Sequence, residues 1–362
     1  MGAEWCQSLA ETALRGDAIS RADSERVLLD PGVELLDLVQ AAYRVRTHHW
    51  GKGVQVHIIN NAQNGHCPED CGYCSQAKTS STDIEKYPLK SEQEILDEAR
   101  RAYEAGAFRY CMVFAGRGPS TGRTQALADI VRKIKSQYNI EVCVSAGLLD
   151  VEKARVLKAA GVDRYNHNLN TSREHYPEIC TTHTYDDRLE TLRAASAEGL
   201  DLCSGMIVGM GESSREVLEV AESLREIGAR SIPVNFLLPF TGTPLGAPRE
   251  LTPQYCLRVL CAFRFLNPKS ELRISAGREF HLRSLQPLGL YVANSLFLDG
   301  YLNSKGHEAR QTLQMIRDAG FDIVSDIDLD ALLGSPPDPS ATEQLVQLNP
   351  MKNRRDLRPT LT

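Results

Sequence analysis

The apolar residues of this chain follow two periods that alternate along most of its length. From Val54 onward, short runs rich in β-branched residues are followed by longer stretches in which apolar residues recur every three or four positions. The short runs are typical of buried strands and the longer stretches of amphipathic helices. The pattern predicts strands at 54–60, 109–114, 141–145, 164–168, 202–208, 231–238, 271–276 and 295–299. It predicts helices at 91–105, 123–137, 151–160, 185–198, 214–227, 252–266, 278–285 and 307–319.

Eight strand–helix units in succession predict an α/β fold of the (β/α)8 TIM barrel type, at residues 51–324. A doubly wound open sheet is the structural alternative. Over residues 1–50 the pattern predicts a helical N-terminal extension, with helices at 21–29 and 33–47. The pattern becomes irregular after Phe321, so residues 325–362 predict a short irregular C-terminal tail with a Pro-rich loop at 335–340 and a poorly ordered end.

Composition narrows the function classes. The 362 residues are 42% hydrophobic and 24% charged, as in soluble globular proteins. The net charge is −6 and no long Lys/Arg run occurs, so we expect no nucleic-acid partner. No apolar stretch reaches the roughly 18 residues that a spanning helix needs, so we expect no membrane partner. The first residues lack a signal-peptide pattern, and ten cysteines are too sparse for a disulfide scaffold, which together predict a cytoplasmic protein.

Three cysteines lie in one short loop after the first predicted strand, at Cys67, Cys71 and Cys74, with the spacing C-x3-C-x2-C. A structural zinc site uses four protein ligands, and a cubane iron–sulfur cluster is normally held by four thiolates. Three thiolates therefore leave one metal position open for a substrate or cofactor. A zinc site with His66 as fourth ligand is the alternative, although adjacency to Cys67 would strain its geometry.

This spacing resembles the signature of the radical S-adenosylmethionine (SAM) enzymes. In that superfamily the open iron binds the amino and carboxylate groups of SAM, and one electron from the cluster cleaves SAM to a radical that abstracts hydrogen from unactivated carbon. A loop that follows the first strand of a barrel lies on the carboxyl face, where barrel active sites are built. The resemblance therefore agrees with the predicted fold.

Polar residues recur on the predicted strands. Three further cysteines, taken singly, are best explained as buried core. An unpaired buried amide or charge is costly, however, so a set of thiols, amides and a guanidinium on neighbouring strands predicts a polar cavity rather than a core. The set consists of Cys111, Cys143, Cys203, Asn166, Asn168, Asn235 and Arg273.

A Gly-rich segment follows the fifth predicted strand, with the sequence Gly-Met-Ile-Val-Gly-Met-Gly-Glu at 205–212. Its glycines let the backbone approach a flat ligand such as adenine. An ordinary Gly-rich turn would have the same composition. Together with the cysteine loop, the segment resembles the adenine-contacting part of radical SAM barrels.

Four segments together resemble the biotin synthase family. They are Cys-Pro-Glu-Asp-Cys-Gly-Tyr-Cys-Ser-Gln at 67–76, Tyr-Asn-His-Asn-Leu-Asn-Thr-Ser at 165–172, Cys-Ser-Gly-Met-Ile-Val-Gly-Met-Gly-Glu at 203–212 and Arg-Ile-Ser-Ala-Gly-Arg-Glu at 273–279. They occur in the family's order, and the resemblance extends from about residue 30 to about residue 320. It implies a radical SAM sulfurtransferase that inserts sulfur into dethiobiotin to form biotin, the last step of biotin biosynthesis.

The resemblance also implies the roles of single residues. Cys67, Cys71 and Cys74 would hold a [4Fe–4S] cluster that binds SAM and, with Arg273, would form the catalytic centre. An auxiliary iron–sulfur cluster that donates the sulfur, expected as [2Fe–2S], would be held by Cys111, Cys143, Cys203 and Arg273. SAM contacts are expected at Tyr73, Asn168, Asn170, Arg188, Ile207, Gly209 and Glu212, and dethiobiotin contacts at Asn166, Asn168 and Asn235. The family further implies a homodimer and an electron donor such as flavodoxin or ferredoxin.

Several alternatives stay open at the level of sequence. Arg273 could donate hydrogen bonds to a sulfide or substrate instead of ligating iron. Cys180 and Cys256 are additional candidate ligands of the auxiliary cluster, and Asn170 stands where many family members carry Asp. A different radical SAM enzyme on the same barrel would need the loop cysteines but not the strand cysteines with Arg273. A non-catalytic iron–sulfur or zinc protein would leave the polar interior unexplained.

Overall fold

The structure is a computed structural model that describes residues 2–247, 251–329 and 333. Within these residues, ten parallel strands form one sheet that closes on itself. Their bounds are β1 Gly53–Gln63, β2 Arg109–Phe114, β3 Glu141–Ser145, β4 Arg164–Asn166, β5 Asp201–Cys203, β6 Met206–Val208, β7 Ser231–Phe236, β8 Glu271–Ile274, β9 Ser295–Phe297 and β10 Asp322–Val324.

The barrel closes in the order β1-β2-β3-β4-β5-β7-β8-β9, with β9 pairing back onto β1. β6 continues the line of β5 and pairs with β7, so these two short strands occupy one position of an eight-position barrel. Each connection between neighbouring positions carries helix, as parallel pairing requires. The predicted (β/α)8 barrel is therefore confirmed, and the open doubly wound sheet is excluded.

Helices surround the barrel and precede it. Their bounds are α1 Gly2–Leu14, α2 Arg21–Leu29, α3 Leu35–Trp50, α4 Glu92–Glu104, α5 Thr121–Gln137, α6 Val151–Ala159, α7 Tyr176–Ile179, α8 Tyr185–Ala197, α9 Ser214–Glu226, α10 Pro253–Leu266, α11 Arg278–Leu282, a 3-10 turn Arg283–Leu285, α12 Gln286–Leu290 and α13 Ala309–Asp318. The N-terminal helices pack on the outer layer, α3 against α10 and α2 against α9 and α10. Within the described residues, no helix is both long enough and apolar enough to cross a membrane.

Several stretches differ from the sequence prediction, and two of them affect the strands of the barrel. The strand expected at 202–208 is interrupted between β5 and β6, because Gly205 approaches the Pro233 carbonyl so closely that an added Cβ would lie 1.8 Å from that oxygen. The chain expected to be irregular after Phe321 instead forms β10, which pairs with the first residues of β1. β1 begins early enough to offer free backbone groups there, and an unpaired strand edge recruits a partner.

The chain divides into a compact unit of residues 1–327, which contains the barrel, and a second unit of residues 328–362. Of the second unit the structure describes residues 328, 329 and 333. Most of the predicted tail, including the Pro-rich loop at 335–340 and the polar end, lies outside the described residues.

Candidate active site

A cavity of about 380 Å³ opens among the strand ends on the carboxyl side of the barrel. The cavity is lined by loops that follow the strands and by side chains from the strands themselves. This one cavity brings together most of the residues singled out in the sequence. Its walls include Cys67, Cys71, Tyr73, Cys74, Cys111, Cys143, Asn166, Asn168, Asn170, Arg188, Cys203, Ile207, Asn235 and Arg273.

The cysteine loop is held in a compact turn after β1. Within it the Cys74 amide donates to the Cys71 carbonyl at 3.0 Å, and the Gly72 amide donates to the Ile179 carbonyl at 2.8 Å. Cys71 is buried while Cys67 and Cys74 are half-buried, and all three line the cavity. Three soft sulfur donors on one loop fit an iron–sulfur cluster with one open iron. His66 is exposed and is not among the cavity residues, so a zinc site that includes it finds no support.

Acidic residues inside the loop bind it to the segment before α8. Asp70 accepts hydrogen bonds from the backbone amides of Thr181 at 2.9 Å and Thr182 at 3.2 Å. Burial alone would raise the pKa of Asp70, but the hydrogen bonds from Thr181 outweigh it and hold that pKa well below its ordinary value. The carboxylate therefore stays charged and fixes the backbone of the cysteine loop.

Arg188 is a buried cation at the edge of the cavity. Its Nη1 donates to the Asn168 carbonyl at 2.7 Å, its Nη2 lies 2.8 Å from His183 Nε2, and its Nε donates to the Tyr176 hydroxyl. His183 Nδ1 in turn contacts the Glu69 carboxylate. A guanidinium has no acceptor, so His183 Nε2 accepts from Arg188, and the proton on His183 Nδ1 is donated in a hydrogen bond to the Glu69 carboxylate. The result is a chain Glu69–His183–Arg188 that joins the cysteine loop to a cation suited to a carboxylate ligand.

Asn170 and Tyr73 form a second contact between the barrel and the loop. Asn170 has a left-handed φ of 68°, and its Nδ2 donates to the Tyr73 hydroxyl. Burial raises the pKa of Tyr73 well above its ordinary value, so the phenol stays protonated. The Asn170 carbonyl accepts from the Ile207 amide at 2.9 Å, which brings that residue to the same wall.

The three predicted substrate amides differ in how strongly the protein already engages them. Asn166 Nδ2 donates to Asn168 Oδ1 at 3.1 Å and to Cys203 Sγ at 3.3 Å. The amide of Asn235 binds the backbone at both ends, to the Met206 carbonyl at 3.1 Å and from the Ala276 amide at 3.2 Å. β4 ends at Asn166, two residues earlier than predicted, so Asn168 lies just beyond the strand and contacts Asn166 from there. Asn235 instead supports the strand ends.

Gly209 and Glu212 take a different place from the other predicted SAM contacts. Neither is among the residues that line the cavity. The Glu212 carboxylate accepts from the Gly209 amide at 2.6 Å and from the Met210 amide at 2.8 Å. These contacts close the Gly-rich turn after β6 on itself, while Ile207 from the same segment reaches the cavity.

The strand cysteines meet deeper in the barrel. Cys111 of β2 is the register partner of Cys143 on β3, and Asn166 of β4 is the partner of Cys203 on β5. The three thiols are buried together against Phe297, and Arg273 of β8 stacks on the same ring with its Cζ 4.8 Å from the ring centre. Three thiols and a guanidinium around one space form a donor set that fits a small iron–sulfur cluster.

The charges around this set favour a thiolate. A hydrogen bond with Cys143 and the positive charges of Arg273 and Arg109 lower the pKa of Cys203 well below its ordinary value, although burial opposes the shift. A thiolate is the form that ligates metal. Hydrogen bonds with Cys111 and Cys203 raise the pKa of Cys143 well above its ordinary value, so the arginine charges favour a thiolate at Cys203 and not at every thiol of the set.

The two additional cysteines lie elsewhere. Cys180 is 3.8 Å from Cys71, sulfur to sulfur, and contacts His183, so it belongs to the loop and not to the strand cysteines. Cys256 lies on the buried face of α10 in the outer helical layer. Neither stands with Cys111, Cys143 and Cys203.

Glu69 and His183 are two residues of the site that were not predicted from the sequence. Glu69 lies inside the C-x3-C segment, and His183 precedes Arg188 by five positions, just before the capping box that begins α8. Their nearness to predicted site residues was the available signal. Their contact with each other is a product of the fold.

Two family models match the chain. The Radical SAM superfamily model matches residues 64–224, and the Biotin and Thiamin Synthesis associated domain matches residues 233–322. Among solved structures, a methylornithine synthase has a TM-score of 0.77 at 20% identity, with 90% of this chain and 100% of that chain covered. The [FeFe]-hydrogenase maturase HydG of Carboxydothermus hydrogenoformans has a TM-score of 0.75 at 19% identity, with coverages of 89% and 80%. Barrel, cysteine loop and family model together define a radical SAM enzyme.

Relatives at higher identity narrow this class. A biotin synthase of Magnetococcus marinus is 56% identical over 313 residues, which cover 86% of this chain and 98% of the relative. A biotin synthase of Acaryochloris marina is 54% identical over 313 residues, which cover 86% and 90%. One of Anoxybacillus flavithermus is 49% identical over 315 residues, which cover 87% and 96%. The chain belongs to the biotin synthase family.

Proposed function

We propose that the chain converts dethiobiotin to biotin by inserting sulfur between two unactivated carbons, as a sulfurtransferase of the radical SAM type. The observation that carries this proposal is that two separate sets of thiols face one cavity. A radical SAM enzyme without sulfur transfer needs only the loop set. Membership in the biotin synthase family supports the same reaction.

Each set of donors suits one cluster. A [4Fe–4S] cluster that binds SAM would be held by Cys67, Cys71 and Cys74. An auxiliary cluster, expected as [2Fe–2S], would be held by Cys111, Cys143, Cys203 and Arg273. When bound, the first cluster and SAM supply one-electron chemistry that removes hydrogen atoms from unactivated carbon, and the second supplies sulfur. The role of the protein is to hold the two donor sets in the walls of one cavity that admits the substrate.

The other cavity residues suit the two organic ligands. Arg188 offers a buried cation to the SAM carboxylate, and Tyr73 with Asn170 borders the place expected for its nucleoside. Ile207 supplies apolar contact, and Gly209 and Glu212 shape the turn that presents it. For dethiobiotin, Asn166 and Asn168 offer amide donors and acceptors, which a ureido ring requires. Asn235 holds the strand ends between which the ring would lie.

The same family membership supports several further parts of the proposal. A reduced electron donor such as flavodoxin or ferredoxin would supply the electron. A homodimer in the cytoplasm is proposed, and the ten cysteines, all free, suit a reducing compartment. We assign the helical extension to residues 1–50, the barrel to 51–324 and the tail to 325–362.

Replacing a strand cysteine tests the proposal by separating two activities. In Cys143→Ala the loop thiols are intact, so reduced protein should still form 5′-deoxyadenosine from SAM. Biotin formation should fall to background, because a ligand of the sulfur-donating cluster is gone. Cys256→Ala, which alters a buried cysteine in the outer helical layer, is the matched control and should keep both activities. Full biotin yield from Cys143→Ala would contradict the proposal.

A further inference from the structure

A carboxylate is buried beside Arg273. Glu271, two positions earlier on β8, has no exposed surface, and Arg273 is 1% exposed. The Nη2 atom of Arg273 lies 2.5 Å from Glu271 Oε1. Two residues apart on a strand, their side chains share the inner face of the barrel. Glu271 therefore enters the barrel interior as the charge partner of Arg273.

Two serines complete the surroundings of the guanidinium. Ser295 Oγ accepts from Arg273 Nε at 2.9 Å and donates to Glu271 Oε1 at 2.8 Å. Ser231 Oγ accepts from Arg273 Nη2 at 3.0 Å. These contacts engage Nε and Nη2, and Nη1 takes part in none of them. Since a guanidinium is planar, fixing two of its nitrogens also fixes the direction of the third.

The guanidinium of Arg273 shares the Phe297 ring with the strand thiols. Phe297 packs on Cys111, Cys143 and Cys203 and also stacks on Arg273, and Arg273 lines the cavity. Glu271 thus occupies the edge of the guanidinium that carries Nη2. Nη1 is the nitrogen left for a metal, and it would ligate iron only after releasing a proton.

The need to balance the charge of Arg109 does not by itself explain why a carboxylate is buried at position 271. Arg109 donates to both oxygens of Glu271, from Nη1 at 3.1 Å and from Nη2 at 2.8 Å. Its Nε also donates to Glu141 at 2.8 Å, so Arg109 has a second carboxylate partner. Glu141 makes its ion pairs with Arg109 and Arg164. Glu271 and Glu141 thus belong to one network, in which Glu271 is fully buried and contacts Arg273, whereas the Glu141 side chain is 29% exposed and does not.

We propose that Glu271 is a positioning residue for the auxiliary cluster, which fixes the Arg273 guanidinium so that Nη1 faces the thiols of Cys111, Cys143 and Cys203. The inference rests on the proposed function, since it concerns the second cluster. Ser295 supports the same arrangement by bridging Glu271 and Arg273. Loss of the carboxylate would free the guanidinium to rotate away from the thiols.

The test compares wild type with Glu271→Gln, Glu271→Asp and the control Glu141→Gln, which alters the other carboxylate of the network, after anaerobic reconstitution with iron and sulfide. Glu271→Gln keeps the shape but removes the charge, and Glu271→Asp keeps the charge but draws the carboxylate back from Arg273 by one methylene. The measurements are iron and sulfide per chain, the visible spectrum of the auxiliary cluster, and coupling of the reduced cluster to 15N-labelled arginine by pulsed electron paramagnetic resonance. Formation of 5′-deoxyadenosine monitors the loop cluster independently.

Both Glu271 variants should retain the auxiliary cluster about tenfold less well, the usual effect of losing a group that orients a metal ligand. They should also weaken its arginine coupling, while 5′-deoxyadenosine formation persists. Glu141→Gln should match wild type. If Glu271→Gln fails to fold, Glu271→Asp decides alone, because it keeps the charge balance of the network.

Wild-type occupancy, spectrum and coupling in the folded Glu271 variants would overturn the inference. An equal loss in Glu141→Gln would also overturn it, because the effect would then belong to the whole charge network. A wild-type chain that takes up no second cluster would instead overturn the proposed function. The two failures are therefore distinguishable.

Discussion

Removal of the His183 imidazole should weaken SAM binding without disturbing the loop cluster. In the structure His183 Nε2 accepts a hydrogen bond from Arg188 Nη2 at 2.8 Å, and His183 Nδ1 contacts Glu69. The imidazole therefore fixes the guanidinium that we assign to the SAM carboxylate. His183→Ala leaves Arg188 with its hydrogen bonds to Asn168 and Tyr176 and with freedom to swing about them.

The size of the effect follows from the hydrogen bonding of the Arg188 guanidinium. In His183→Ala this group keeps two of its three hydrogen bonds, and a bond to a charged group contributes about 1.5–3 kcal/mol. Because this bond is made with and without SAM, its energy sets the largest possible effect, and at about 1.4 kcal/mol per factor of ten SAM affinity should fall by up to roughly 100-fold. His183→Gln offers an amide oxygen to Arg188 and should restore most of the affinity. Glu69→Gln keeps an acceptor for His183 Nδ1, so its effect should be smaller than that of His183→Ala.

Equilibrium dialysis of radiolabelled SAM against anaerobically reconstituted protein measures the affinity directly. The KM and kcat for 5′-deoxyadenosine formation separate positioning of SAM from its cleavage, and iron content verifies the loop cluster. We expect a raised KM with a smaller change in kcat. An unchanged Kd for SAM in His183→Ala with a full loop cluster would refute the reasoning, as would loss of affinity that His183→Gln does not restore.

Three further predictions concern single side chains. Cys71→Ala should abolish 5′-deoxyadenosine formation, because the loop cluster loses a ligand; persistent cleavage of SAM under reduction would contradict this. Arg109→Met should lower the free energy of unfolding by about 3 kcal/mol in urea titrations, since it removes a bidentate partner of buried Glu271. A hydrogen bond from the Thr184 backbone lowers the pKa of Asp187 in the folded protein. The ionised carboxylate therefore stabilises the fold fully above pH ~4, the pKa of Asp in the unfolded chain, and this stabilisation is lost as the pH falls through the lower pKa of the folded state. Asp187→Asn should therefore flatten the dependence of stability on pH in that acidic range, and an unchanged pH profile would disprove the assignment.

Parts of the fold were predictable because they depend on residues close in the sequence. The strand at 109–114 was predicted with the bounds that β2 has, and the helix predicted at 91–105 matches α4 to within one residue at each end. Alternating β-branched runs and amphipathic stretches signal strand and helix wherever they occur. The cysteine loop was recognised for the same reason, since all three of its cysteines lie within eight positions.

Other features were unpredictable because distant segments create them. The break at Gly205 depends on the carbonyl of Pro233 in the neighbouring strand, and β10 depends on the early start of β1. A pattern within a short segment of sequence contains no information about either of these distant partners. α1 lies within the predicted helical extension of residues 1–50, but it was not predicted as a separate helix, although its buried face is apolar.

The sequence by itself determined the chemistry that is available: three thiols in a loop, three on strands, and the amides and arginines between them. Which atoms meet was decided by closure of the barrel. Glu69 and His183 are 114 positions apart, and Arg109 and Glu271 are 162 apart, yet each pair is in hydrogen-bond contact. Residue type and local period are properties of short segments. The pairing of buried charges depends on the register of strands that adjoin only when the sheet closes, and the orientation of Arg188 and Arg273 therefore belongs to the tertiary structure.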